Sequence, residues 1–144
     1  MEKLSGIRAC VVDAYGTLFD VAGPVAKLAG EIGPHAEEIS KLWRQKQLEY
    51  SWLRSLMGVH VDFWHVTGDA LDYALEQFNV SEPGLRDELL ALYLKLDAYP
   101  EVADALAAVK ARSKLTAILS NGSPSMLDAA VRHAGLDKLF NMVL

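Results

Sequence analysis

Two short apolar runs that end in polar turns constrain this chain more than any other feature. Ile7-Arg8-Ala9-Cys10-Val11-Val12 is too short for a lone helix and too apolar for a half-solvated strand. It predicts a parallel strand covered on both faces. Leu115-Thr116-Ala117-Ile118-Leu119 reads as a second buried strand, and Asn141-Met142-Val143-Leu144 as the start of a third. Asp13 follows the first run and Ser120-Asn121-Gly122 the second. Ligands of open parallel sheets bind beyond the carboxyl ends of the strands, so these residues are expected at one edge. Gly16 allows a tight bend that would turn backbone N–H groups towards an anion. Ser123 is placed to cap the next helix, with Pro124 at its first position, and the turn then offers hydroxyl, amide and N–H donors to the same edge.

Between these runs the pattern is helical. Helices are expected over 24–32, 35–57, 67–78, 84–96 and 101–112, with Thr67 as a cap, Pro100 in a first turn, and Gly135 ending the helix that follows Ser123. The expected fold class is α/β, a doubly wound parallel sheet interrupted by a helical insertion. The core would comprise residues 1–20 and 99–144, and an antiparallel helical cap residues 21–98. In the second predicted helix Arg44, Leu48 and Trp52 are four apart, so they share a face and set a guanidinium beside an apolar strip. Such a face suits a small acid, because Arg can bind a carboxylate through two parallel hydrogen bonds.

A length of 144 residues suits one domain with an inserted subdomain, and 51% hydrophobic residues can supply a core. A net charge of −5 without a basic cluster argues against nucleic-acid binding. Nothing near Met1 reads as a signal peptide and no apolar stretch reaches membrane-spanning length, so a cytoplasmic location is expected. Cys10, the single cysteine, is expected to be a buried structural thiol. His35, His60, His65 and His133 show no metal-ligand spacing and are expected at the surface or in the cap.

Three segments, in order, carry a family resemblance. Asp13-Ala14-Tyr15-Gly16-Thr17-Leu18-Phe19-Asp20 resembles the first motif of the haloacid dehalogenase superfamily. The stretch from Leu42-Trp43-Arg44-Gln45 to Met57 resembles the cap helix of its dehalogenases, and the run ending in Ser120-Asn121-Gly122 resembles the second motif. Phosphoryl-transferring members usually carry a second Asp two residues after the nucleophile, where this chain has Tyr15. Halide leaves without a proton, so a dehalogenase needs no acid there. Asp-x-Tyr-Gly-Thr therefore resembles the L-2-haloacid dehalogenase (type II) branch.

The resemblance implies a Rossmann-like core with an inserted cap and hydrolysis of L-2-haloalkanoates to D-2-hydroxyacids through an ester on Asp13. It assigns Arg44 to halide abstraction or substrate binding. Thr17, Ser120 and Asn121 would hold the nucleophile and the substrate carboxylate, and Tyr15, Gln45, Leu48 and Phe63 would line the pocket. No metal or cofactor is expected, the partners being a 2-haloalkanoate and a second copy of the chain. The resemblance covers only part of a family member, whose later lysine and acidic motifs have no counterpart here. The C-terminal part of the core is thus expected to be absent, with an open apolar edge on the first strand. A magnesium-dependent phosphatase of the same superfamily, and an inactive chain serving as an interaction module or strand-edge dimer, remain as alternatives.

Overall fold

The computed structural model describes residues 5–112 and 114–144. In chain order the elements are β1 (Ala9–Val12), α1 (Gly23–Lys27), α2 (Ala29–Ile32), α3 (Ala36–Met57), α4 (Phe63–Gln77), α5 (Leu85–Tyr93), α6 (Val102–Ala111), β2 (Leu115–Ile118), α7 (Pro124–His133) and β3 (Met142–Val143), with a 3₁₀ turn at Asp137–Leu139. They form two compact units, an α/β unit up to Asp20 and from Asp97 to Leu144, and a helical unit of Val21–Leu96.

In the α/β unit the sheet is parallel, in the order β1-β2-β3. Ala9 pairs with Leu115 and Val12 with Ile118, while Ala117 pairs with Met142. Thr116 ties β3 in place. Its hydroxyl donates to the Leu139 carbonyl (2.6 Å), its N–H donates to Asn141 Oδ1 (2.9 Å), and its carbonyl accepts from the Asn141 N–H (2.9 Å). The Asp20 N–H donates to the Asp97 carbonyl (2.9 Å) and the Tyr99 N–H to the Leu18 carbonyl (3.0 Å). The chain therefore leaves this unit and returns to it at adjacent points, as suits an insertion with its own core.

The strands depart from expectation in one respect. β1 begins at Ala9 rather than Ile7, and neither it nor β2 is covered on both faces by described residues. Thr116 and Ile118 are buried, but Leu115 is 57% and Leu119 61% exposed, and Val11 in β1 is 55% exposed. Side chains alternate across a strand, so an apolar run shows what could be buried, and the packing elements decide which row is. Cys10 is accordingly half-buried rather than buried. β1 is an edge strand among the described strands, hydrogen-bonded to β2.

The helical unit is built on α3 packed along α4, with α1 against α3 and α5. Ile39 and Trp43 from α3, Val66, Ala70, Leu71 and Ala74 from α4, and Leu85 and Leu89 from α5 are buried. α3 ends at Gly58, whose φ of +69° favours glycine, and the Val59 N–H returns to the Arg54 carbonyl (2.9 Å).

Several predicted boundaries move. The expected helix over 24–32 breaks at Leu28 into α1 and α2. α4 starts at Phe63, four residues before the expected Thr67 cap. Asp62 is the cap, its carboxylate accepting from the Trp64 N–H (2.7 Å), and Thr67 sits a turn inside with its hydroxyl donating to the Phe63 carbonyl (2.8 Å). α5 ends at Tyr93 rather than residue 96, and Pro100 lies in the turn before Glu101, which caps α6. α7 follows the sequence pattern: Ser123 Oγ accepts from the Met126 N–H (3.4 Å), Pro124 opens the helix, and Gly135 at φ +68° follows its end.

Candidate active site

Asp13 follows β1 directly and is exposed at the carboxyl end of the strand. The chain then turns sharply. The N–H groups of Thr17, Leu18 and Phe19 all point to the Ala14 carbonyl (3.3, 2.8 and 3.1 Å), and the Gly16 N–H donates to the Phe19 carbonyl (2.9 Å). Gly16 accommodates this with φ +86°. The four N–H groups from Gly16 to Phe19 are thus taken up inside the turn, not turned towards an anion as expected. The turn instead brings Thr17 back over Asp13, with the Thr17 hydroxyl donating to Asp13 Oδ2 (3.3 Å). Tyr15 is buried, its ring centroid 6.3 Å from that of Phe19.

The register brings the second predicted cluster to the same edge. Val12 pairs with Ile118 and its carbonyl accepts from the Leu119 N–H (3.0 Å), so Ser120 follows β2 alongside the residues that follow β1. Ser120 Oγ accepts from the Gly122 N–H (3.3 Å), which closes the Ser120-Asn121-Gly122 turn; Asn121 is exposed. Gly122 lies against Tyr15. A Cβ there would fall 2.6 Å from Tyr15 Cε2 and 3.2 Å from Leu127 Cδ2. Asp13, Tyr15, Thr17, Ser120 and Asn121 therefore all lie at the carboxyl ends of adjacent parallel strands.

The other four predicted residues belong to the helical unit. Arg44, half-buried on α3, donates from a terminal guanidinium nitrogen to Gln47 Oε1 (2.7 Å). Gln45 is exposed and donates to Glu49 Oε1 (2.7 Å). Leu48 is half-buried, and Phe63 is buried at the start of α4. Trp52, expected to extend the apolar strip from Arg44 and Leu48, is 62% exposed. The buried row of α3 is Ile39, Trp43 and Gln47.

Sequence reading missed two features. Sequence pattern marks Gly122 only as a turn residue, although its lack of a side chain is what lets the Tyr15 ring approach. Gln47 carries no motif, although it occupies a core position on α3 at 1% exposure and bonds Arg44. The available signal was an amide four residues beyond Trp43 and eight beyond Ile39, a polar side chain on the apolar stripe.

The four histidines are exposed, with His35 near Glu38, His65 near Asp69 and His133 near Asp97. Among the described residues no helix is long and apolar enough to cross a membrane.

A parallel α/β unit with its polar residues gathered beyond the strand ends, interrupted by a helical insertion, is a class of scaffold on which enzymes hold small ligands. The chain belongs to the haloacid dehalogenase-like hydrolase family, whose model matches residues 7–144. It is 52% identical over 139 residues to (S)-2-haloacid dehalogenase 1 of Pseudomonas sp. (strain CBS-3), covering 96% of this chain and 61% of that protein. With (S)-2-haloacid dehalogenase 4A of Burkholderia cepacia the identity is 46%, over 98% of this chain and 62% of the relative. The structure of L-2-haloacid dehalogenase from Xanthobacter autotrophicus with chloropropionic acid covalently bound is similar at TM-score 0.86 and 46% identity, over 96% of this chain and 56% of that one. The chain thus spans 61–62% of the length of these two curated relatives.

Proposed function

We propose that the protein hydrolyses L-2-haloalkanoates to D-2-hydroxyacids with release of halide. One Asp13 oxygen attacks the halogen-bearing Cα from the side opposite the halogen. The carbon–halogen bond breaks as the ester bond forms, the halide leaves with the bonding electrons, and Cα is inverted. Water then adds to the carboxyl carbon of Asp13 and the ester C–O bond at that carbon breaks, one proton of the water passing to the departing alkoxide oxygen and the other to solvent. The product keeps an Asp13 oxygen and the inverted configuration, and Asp13 regains its carboxylate with an oxygen from water. Arg44 receives the halide or binds the substrate carboxylate. Thr17, Ser120 and Asn121 hold the nucleophile and the carboxylate, and Tyr15, Gln45, Leu48 and Phe63 form the pocket wall.

The observation that carries this reading is Tyr15, an aromatic wall two residues after Asp13 where a phosphoryl-transfer site needs a proton donor for its leaving alkoxide. A monoanionic substrate with a halide leaving group calls for no metal. The reading places the protein in the cytoplasm as a homodimer. Support for a second copy comes from Trp52, Leu53, Leu56 and Met57, large apolar side chains exposed together towards the end of α3.

The test is halide release from each enantiomer of 2-chloropropionate in excess chelator, by this chain and by a form extended to the length of its relatives. A single turnover in oxygen-18 water should put the label in Asp13 and leave the first hydroxyacid unlabelled. Asp13→Asn should lower halide release at least about 1,000-fold, because no nucleophilic oxygen remains. Magnesium-dependent phosphate release with no halide from either enantiomer would overturn the assignment.

A further inference from the structure

The buried polar side chains of the helical unit form one directional chain that ends on Arg44. Gln47 is 1% exposed, Thr67 fully buried and Tyr93 2% exposed. Burying an amide is costly unless its donors and acceptor are matched. Thr67 has one hydroxyl proton and gives it to the Phe63 carbonyl (2.8 Å). Towards Gln47 it can therefore only accept, which it does from Nε2 (2.7 Å). That orients the amide, sending Oε1 to the Arg44 guanidinium at 2.7 Å. The Tyr93 hydroxyl spans both ends of the amide, accepting from Nε2 at 3.1 Å or donating to Oε1 at 3.2 Å. Burial raises the Tyr93 pKa, against opposing hydrogen bonds with Gln47 and Arg44, so this hydroxyl keeps its proton. The crevice between Ser40, Arg44, Gln47 and Tyr93 has no room for a water molecule. Trp43 steadies the same place, its indole N–H donating to the Thr67 carbonyl at 2.9 Å.

We propose that Gln47 is a positioning residue for Arg44, with Thr67 setting which way its amide faces. The inference rests on the reading that Arg44 acts on the substrate. A guanidinium on a flexible stem loses much of its freedom when one nitrogen is held by a buried acceptor. A charge held before the substrate arrives needs no reorganisation when the halide departs.

The experiment uses the whole chain with nitrogen-15 arginine. The Arg44 side-chain Nε–Hε signal is followed in the unmodified protein and in Gln47→Met, Thr67→Val and Thr67→Ser, with the amide spectrum reporting folding. Arg44 should be ordered in the unmodified protein and in Thr67→Ser, which keeps the hydroxyl. It should lose order in Gln47→Met, and also in Thr67→Val, where the amide can flip. Should Gln47→Met not fold, the Thr67 pair carries the test. In parallel, halide release should fall about 10- to 100-fold in kcat for Gln47→Met, as expected when a charged group is misplaced by about an ångström. An Arg44 signal that stays ordered in the folded variants overturns the proposal whatever the activity. Order lost in the variants, while the unmodified and extended proteins release no halide, supports the positioning chain and overturns instead the role given to Arg44.

Discussion

The two units hold their candidate residues by different means. In the helical unit Arg44 is bonded to a side chain that is 1% exposed, inside a core where Ile39, Ala70, Leu71, Ala74 and Leu89 are completely buried. In the α/β unit Asp13 is exposed and so is Thr17, the residue that bonds it. Hydrogen bonds open to water contribute little to orientation, because solvent offers an equivalent partner. Asp13 owes its place to backbone, namely the strand register and the turn closed on the Ala14 carbonyl. Arg44 owes its place to side-chain packing. Mutations in the helical core should therefore disturb Arg44 along with stability, whereas side-chain changes on the open row of the sheet should leave Asp13 where it is.

The sharpest way to break this comparison is a core deletion in the helical unit. Leu71→Ala removes a side chain with no exposure and should cost about 3 kcal/mol, measured by chemical denaturation. A loss below about 1 kcal/mol would mean that the helical core relaxes easily and cannot hold Arg44 rigidly.

A smaller effect is expected where Gly122 meets the Tyr15 ring in the α/β site. Gly122→Ala puts a Cβ 2.6 Å from the Tyr15 ring, and the ring or the turn must shift. The expected cost is about 1–3 kcal/mol, with Tyr15 displaced in the crystal structure of the variant. An unmoved ring and unchanged stability would show that the approach of the turn to Tyr15 is loose.

The smallest effect belongs to the open row. Leu119→Thr, at a position 61% exposed, should change stability by no more than about 0.5 kcal/mol and leave the Thr17 to Asp13 bond in place. A larger loss in the melting curve would show that this row is covered in solution, and would remove the contrast between the units.

The strand-end cluster was legible because its determinants are local. An apolar run, a following Asp and a glycine are enough to place Asp13 beyond β1, and Ser123 with Pro124 is enough to start α7. The cap of α4 was less legible. Asp62 and Thr67 are both good capping residues, and the choice fell to Asp62 because Phe63 and Val66 are drawn into the core and extend the helix towards it. The anion-facing N–H groups expected at Gly16 were wrong for a related reason. Four consecutive N–H groups and two carbonyls could satisfy one another within the turn, a pairing that residue types do not announce.

What the sequence by itself determined is the order of elements, the residues that fall at the strand ends, and the family, since each depends on residues close together in the chain. Tertiary structure alone decided which row of each apolar strand is covered, that Gly122 must yield to Tyr15, and that Gln47 holds Arg44 through an amide oriented by Thr67. The physical reason is range. Periodicity and turn chemistry act over a few residues, whereas Gln47 meets partners 20 and 46 residues away, Thr67 and Tyr93, and the direction of its amide exists only when α3 lies against α4 and their polar groups must be matched without water.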